Sequence, residues 1–223
     1  MKTLTHEEAK AFYDKFGRKQ DRQAFYEEAA LEVLIANSAL DQARSVVEFG
    51  CGTGRLARAL LERHLAEDAQ YLGTDLSSTM VAIASERLTG FAARASVQQT
   101  TGEPKLPVAD ASVDRVLSSY VFDLLSDAER DELLVEARRA LTSDGLLGLC
   151  GITDGTTLVS RAVMSSWSWI YARSARLVGG CRPTRAAEVL EARGWKLRHH
   201  QVVVAWGVAS EVVVASPPSA SRA

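Results

Sequence analysis

Short apolar runs alternate with longer amphipathic stretches through most of the chain. Runs rich in valine, leucine and tyrosine are typical of buried strands, and apolar residues at helical spacing predict helices. The pattern therefore predicts strands at residues 45–50, 69–75, 95–101, 112–121 and 146–153, and helices at residues 54–65, 77–88 and 127–141. Ser77 or Ser78 is expected to cap the second of these helices, and Asp144 with Gly145 to form the turn before the fifth strand.

Strands that alternate with helices predict a doubly wound α/β fold with a mostly parallel sheet and helices on both faces. The end of the chain differs, because residues 196–207 and 210–216 are two β-rich runs separated by a tight connection that contains Gly207. Such a hairpin predicts that one terminal strand runs antiparallel to the rest of the sheet.

Two regions flank this alternating pattern. Helical spacing appears before the first strand, at residues 6–17 and 21–40. After the fifth strand, residues 156–183 show a less regular pattern, and Thr184 is expected to cap a helix that follows it.

Composition and charge exclude several classes of protein. The chain has 223 residues, of which 47% are hydrophobic and 24% charged, which is typical of a globular domain. The first residues are charged and no apolar run is long enough to span a membrane, so a cytoplasmic protein is expected. A net charge of -2 argues against a nucleic-acid partner. Cys51, Cys150 and Cys181 lie far apart, which predicts packed thiols and no metal site.

The sequence EFGCGTG, from Glu48 to Gly54, follows the first predicted strand. A glycine-rich turn there brings bare backbone close to a ligand at the carboxyl edge of the sheet. Asp75 ends the second strand, where a carboxylate can accept hydrogen bonds from both hydroxyls of a ribose. The G-x-G-x-x-G spacing of a diphosphate site is absent. These residues therefore predict a nucleoside ligand without a diphosphate, which weighs against a nucleotide-dependent oxidoreductase.

The chain resembles the class I S-adenosylmethionine-dependent methyltransferases over roughly residues 44–216. The resemblance is carried by EFGCGTG, by Asp75, by LPVADASVDRV at 106–116 and by LTSDGLLGL at 141–149. It implies a seven-stranded Rossmann-like sheet that binds S-adenosylmethionine and releases S-adenosylhomocysteine. By this resemblance, the cofactor-binding residues would be Glu48, Gly50, Cys51, Gly52, Gly54, Asp75, Leu76, Ser118, Ser119 and Tyr120.

One position departs from the family pattern. Family members often bind the adenine amino group with an acidic residue after the third strand, where this chain has Gly102 followed by Glu103. Either Glu103 makes that contact or the backbone at Gly102 does, so both are included among the expected cofactor-binding residues.

The resemblance implies methyl transfer by in-line displacement, without a metal, to an oxygen or nitrogen atom of a small-molecule acceptor. A general base helps only if the acceptor arrives protonated. No residue stands out as that base, and the weak candidates are His6, Asp14, Asp123, His199 and His200.

The acceptor pocket is expected outside the shared core. Its candidate residues are Tyr13, Phe16, Lys19, Gln20, Tyr26, Trp167, Tyr171, Arg182 and Trp206. The expected organisation is a helical lid at 1–41, a catalytic domain at 42–216 with a pocket insertion at about 154–183, and a loose tail at 217–223.

Two other functions stay open at this point. The aromatic and arginine residues near SWSWIY also suit a phospholipid N-methyltransferase-like enzyme at a membrane surface. A noncatalytic module that binds S-adenosylmethionine would carry the same glycine loop. The protein is expected to be a monomer or a homodimer.

Overall fold

The computed structural model describes residues 3–218, and its strands form one seven-stranded sheet. The strands are β1 (Ser45–Phe49), β2 (Gln70–Asp75), β3 (Ala95–Gln99), β4 (Val113–Ser119), β5 (Leu141–Ile152), β6 (Lys196–Ala205) and β7 (Val208–Ser216). Their order across the sheet is β3-β2-β1-β4-β5-β7-β6, and β7 runs antiparallel to both of its neighbours. Every other pairing is parallel. The predicted fold is therefore confirmed, including the reversed terminal strand.

Helices cover both faces of the sheet. They are α1 (His6–Phe16), α2 (Ala24–Asn37), α3 (Arg55–Arg63), α4 (Ser78–Arg87), α5 (Asp127–Ala140), α6 (Leu158–Arg173) and α7 (Ala186–Ala192). Two apolar clusters result: Leu34 of α2 and Leu60 of α3 belong to one, and Leu133 of α5 and Leu190 of α7 to the other. Because parallel strands end at one edge, the loops after β1, β2 and β4 meet there.

Two predicted turn features are confirmed. The side chain of Ser77 accepts a hydrogen bond from Met80 N at 3.1 Å and so caps α4. Trp206 and Gly207 join β6 to β7, both with positive φ, as a tight hairpin turn requires.

Three local predictions are wrong. No turn at Asp144 precedes β5; the strand begins at Leu141, and a change of register against β4 absorbs the extra residues as a bulge. Thr184 caps no helix, since its hydroxyl donates to the Ile152 carbonyl and α7 begins two residues later. Residues 158–173 form the regular helix α6, which begins at a capping box made by Thr157 and Ser160. Of the tail predicted at 217–223, residues 219–223 lie outside the described part of the chain.

Candidate functional site

The loop between β1 and α3 needs glycine for both its dihedral angles and its contacts. Gly50, Gly52 and Gly54 have φ of +77°, +53° and +72°. A Cβ atom on Gly50 would lie 2.3 Å from Val121 Cγ2, and one on Gly52 would lie 2.9 Å from Gln20 Oε1. A Cβ on Gly54 would meet the Cβ of Ala84 in α4 at 3.0 Å. The first two glycines therefore form a cradle of bare backbone against which Val121 and Gln20 lie, whereas Gly54 permits close helix packing.

Asp75 at the end of β2 is tied to this cradle. Its Oδ2 accepts a hydrogen bond from Gly52 N at 2.9 Å, and its Oδ1 accepts one from Ser77 N at 2.8 Å. A carboxylate offers about four acceptor positions, so about two are left for a ligand's hydroxyl groups. Burial raises the pKa of Asp75 despite these two bonds.

The cavity at the glycine loop, here called the main cavity, lies between this edge of the sheet and the N-terminal helices; its volume, including the part open to solvent, is about 860 Å³. Its lining includes residues that follow β2, β3 and β4. The residues lining it that the sequence predicted are His6, Tyr13, Gln20, Gly50, Gly52, Asp75, Leu76, Gly102, Ser119 and Tyr120.

A smaller cavity of about 350 Å³ shares Gln20, Gly50, Gly52 and Ser119 with the main one. Its remaining walls carry charge, and include Glu48, Asp21 and Arg55 together with Cys51 and Thr53. The two cavities thus meet over the glycine cradle, with a largely apolar space on one side and a charged space on the other.

Glu48 is the most deeply buried carboxylate of this region, with 1% of its surface exposed. Burial raises its pKa to about 7, although the Tyr71 hydroxyl donates a hydrogen bond to Oε2 at 2.6 Å. Ser118 is buried in β4 and donates to the Phe49 carbonyl at 3.0 Å, so it holds the end of β1 that leads into the cradle.

The N-terminal residues are fastened over the cavity by polar contacts. Asp14 of α1 accepts hydrogen bonds from Ser77 Oγ at 2.6 Å and from Thr79 N at 3.3 Å. Burial opposes its ionisation, but Lys10 and Ser77 outweigh burial and lower the pKa of Asp14 to about 2. Asp14, expected as a weak base candidate, therefore anchors α1 to the start of α4 and does not line the cavity.

Of the five base candidates, His6 lines the main cavity. Its Nε2 lies 2.5 Å from Glu129 Oε1, and its ring covers Gly102, where a Cβ would approach to 3.1 Å. Asp123 is fully buried outside both cavities, and burial raises its pKa to about 6. His199 and His200 lie within β6, where His200 pairs with Glu211 at 2.8 Å.

Several other predicted site residues lie outside both cavities. Glu103 points away and pairs with Lys105 at 2.8 Å, which leaves Gly102 as the residue at the cavity wall. Tyr26 is buried with its ring 5.9 Å from that of Tyr120. The remaining acceptor-pocket candidates outside the cavities are Phe16, Lys19, Trp167, Tyr171, Arg182 and Trp206.

These outlying residues have other contacts or are exposed. The Trp167 indole donates to the Cys181 carbonyl at 2.9 Å, and Arg182 is buried with its guanidinium 3.3 Å from Asp127. Tyr171 is buried in α6, whereas Trp206 is 80% exposed at the hairpin tip.

Sequence reasoning missed Glu129 and Val121. Glu129 is the third residue of α5, and Ser126 donates to its Oε2 from both the hydroxyl and the backbone. The spacing S-x-x-E was visible as a capping box at the start of α5, which follows β4 at the carboxyl edge of the sheet. Nothing in the sequence showed that the far-removed His6 meets it.

The residues present fit a nucleoside with an amino-acid end. At Gly52 the left-handed backbone conformation disfavours any side chain, and Asp75 has acceptor positions left for hydroxyl groups. Gln20 Oε1 is shielded from solvent at this point and has no hydrogen-bond partner. Within residues 3–218, no helix is long and apolar enough to cross a membrane, and no group of three or more His, Cys, Asp or Glu could hold a metal ion.

Comparison with known proteins agrees with this geometry. An uncharacterized methyltransferase of Geobacillus kaustophilus is 32% identical, over 60% of this chain and 58% of the relative. The demethylmenaquinone methyltransferase of Lactobacillus johnsonii is 26% identical, over 66% and 65%. The chain thus spans less than two thirds of the length of these curated relatives.

Among solved structures, the [4+2]-cyclase SpnF superposes with a TM-score of 0.75 over 98% of each chain at 17% identity, which shows a shared fold. The family model described as "Methyltransferase domain" matches residues 46–145, which include the cradle, Asp75 and β4. Over these residues the chain is similar to a methyltransferase domain, and the solved structures show that it shares the fold of S-adenosylmethionine-dependent methyltransferases.

Proposed function

We propose that this protein binds S-adenosylmethionine across its two joined cavities and transfers the methyl group to an oxygen or nitrogen atom of a small-molecule acceptor. The observation that carries the proposal is the bond between Gly52 N and Asp75 Oδ2, which sets a bare backbone cradle beside a carboxylate with acceptor positions left. When bound, the cofactor supplies a methyl group already activated on a sulfonium, so the proposed transfer requires no metal.

The protein's own task is then to bind, orient and exclude water. Asp75 would hold ribose hydroxyls, and the apolar wall that includes Leu76 and Met80 would hold the base. Tyr13 closes the cavity from α1 by donating to the Gly179 carbonyl at 3.0 Å. Holding reactants in line can lower a barrier by on the order of 7–11 kcal/mol.

His6 is the residue we assign to remove a proton from the acceptor. Burial opposes ionisation of Glu129, but hydrogen bonds from Ser126 and His6 lower its pKa, so it faces His6 as a carboxylate. A carboxylate only accepts, so a neutral His6 would donate to it from Nε2 and would have Nδ1 left to accept the acceptor's proton.

The test has two readouts. Calorimetry with S-adenosylhomocysteine measures cofactor binding, and transfer from radiolabelled S-adenosylmethionine to a panel of phenols, amines, carboxylates and demethylmenaquinone measures activity. Asp75→Ala is the matched control in both assays. Labelled product that depends on Asp75 supports the proposal. Binding without transfer to any acceptor would instead favour a noncatalytic binding module, and the same fold does serve a cyclase.

A second candidate is methyl transfer to a phospholipid at a membrane surface, favoured by the outer side of α6. Leu158, Val159 and Trp169 are 85%, 68% and 60% exposed, and the Arg173 guanidinium lies 4.6 Å from the Trp169 ring centroid. Exposed apolar and cationic side chains on one helix suit an anionic lipid surface. Co-sedimentation with vesicles containing phosphatidylglycerol, compared with phosphatidylcholine alone, tests this. No binding to the anionic vesicles would end this candidate.

A further inference from the structure

Gln20 occupies an unusual position over the glycine cradle. It belongs to the 3-10 helical segment at residues 17–23, and its amide would lie 2.9 Å (Oε1) and 3.2 Å (Nε2) from a Cβ atom on Gly52. Oε1 is shielded from solvent and accepts no hydrogen bond. A buried acceptor without a donor is destabilising and rare in folded proteins, so its presence here points to a ligand that supplies the donor.

The position of Gln20 is fixed by its neighbour. Asp21 accepts a hydrogen bond from Thr53 Oγ1 at 2.6 Å and one from Arg87 at 2.6 Å. Thr53 belongs to the glycine loop and Arg87 to the last turn of α4, so the segment is fastened to both sides of the cradle. The unpaired oxygen is therefore held in place over Gly52.

The chemistry of the two cavities decides which part of the cofactor lies beside Gln20. The smaller cavity, which Gln20 borders, combines the carboxylates of Glu48 and Asp21 with the guanidinium of Arg55. Opposite charges around one small space suit an α-amino acid, which carries both an ammonium and a carboxylate. The apolar side of the main cavity, around Leu76 and Met80, suits an uncharged base.

We propose that Gln20 recognises the amino-acid end of the cofactor, with its amide oxygen accepting a hydrogen bond from the α-ammonium group. This rests on the proposed function and moves Gln20 from the acceptor pocket, where the sequence placed it, to the cofactor cradle. The N-terminal segment then contributes to cofactor recognition in addition to covering it.

The test compares two ligands that differ in the amino-acid end. S-adenosylhomocysteine carries it and 5′-methylthioadenosine lacks it, so calorimetry with both isolates this contact. In Gln20→Met, which keeps the length of the side chain, affinity for S-adenosylhomocysteine should fall by about 10- to 100-fold. Affinity for 5′-methylthioadenosine should stay within about 2-fold of the unaltered protein. Lys19→Met, an exposed neighbour on the same segment, is the matched control and should leave both affinities unchanged.

Gln20→Glu retains an acceptor oxygen and should bind S-adenosylhomocysteine more tightly than Gln20→Met does. An equal loss of affinity for both ligands in Gln20→Met would overturn the proposal, because Gln20 would then only cover the cavity and would not recognise the amino-acid end. Unchanged binding of both ligands would overturn it too. If the unaltered protein bound neither ligand, the proposed function itself would fail. This outcome is distinguishable from failure of the Gln20 proposal, because it is observed in the unaltered protein and not only in the variants.

Discussion

We expect the burial of Glu48 to lower the free energy of unfolding by a measurable amount at high pH. Its carboxylate is 1% exposed, and burial raises its pKa from 4.5 to about 7. Glu48 lies in β1, and its carboxylate accepts a hydrogen bond from the Tyr71 hydroxyl. It lines the charged cavity and belongs to neither apolar cluster.

The sign of its effect on stability follows from this raised pKa. The unfolded chain loses the proton near pH 4.5, whereas the folded protein keeps it until about pH 7. The stabilisation from the bound proton is complete below pH 4.5 and is lost as the pH rises to 7. A difference of this size corresponds to about 3 kcal/mol. Glu48→Gln cannot ionise, so it should match the unaltered protein at low pH and exceed its free energy of unfolding at pH 8.

Urea unfolding followed by tryptophan fluorescence, at pH 4.5 and pH 8 without ligand, measures this difference. Burial also raises the pKa of Glu27, Asp75 and Asp123, which are present in both proteins. The contributions of Glu27 and Asp123 largely cancel in the comparison, whereas Asp75 interacts with Glu48 and titrates together with it. Glu32→Gln replaces an exposed carboxylate and is the control. A gain in stability that was equal at both pH values, or no gain at pH 8, would refute the reasoning. The same substitution should weaken binding of S-adenosylhomocysteine, as expected where a binding site is built at the expense of stability.

Three further predictions concern the cradle and its cover. Asp75→Ala should weaken binding of S-adenosylhomocysteine by about 1–3 kcal/mol in calorimetry, since hydroxyl groups lose their acceptor, and unchanged affinity would contradict the ribose assignment. Gly52→Val should abolish binding in a protein that circular dichroism shows to be folded, whereas Gly90→Val, where a Cβ meets no atom within 4 Å, should bind normally. Asp21→Ala should speed trypsin cleavage within residues 17–23, because the segment loses its contacts with Thr53 and Arg87; equal cleavage rates would show that other contacts hold it.

The part of the site that the sequence predicted is local in the chain. The cradle and Asp75 lie on consecutive strand ends, so the sheet's parallel order was enough to bring them together. The hairpin at Gly207 was equally local, since its two strands pair directly. Short-range patterns of glycine, aspartate and alternating strands were therefore enough to predict the fold and the position of the cradle beside Asp75.

The rest depends on contacts between distant residues. His6 and Glu129 meet across 123 positions, and no spacing in the sequence indicates that pairing. Glu103 was expected at the cavity, but the neighbouring Lys105 pairs with it at the surface. The aromatic residues of α6 were expected to form an acceptor pocket, yet Trp167 turns its indole toward the Cys181 carbonyl. In these cases the direction of each side chain depends on the residues that lie next to it in the folded protein.

Two unfavourable features of the site lie close together, so ligand binding and folding should be coupled there. Glu48 and Gln20 border the same small cavity, one as a buried carboxylate with a raised pKa and the other as an acceptor without a donor. A ligand ammonium group would satisfy both at once, by favouring the ionised carboxylate and by donating to the amide oxygen. Since a ligand that binds only the folded state stabilises it by mass action, this protein should gain more from S-adenosylhomocysteine than from a nucleoside without the amino-acid end. The gain should also grow as the pH rises from 5 to 8, because the ammonium group favours the ionised form of Glu48, and burial makes that form unfavourable in the folded protein without ligand.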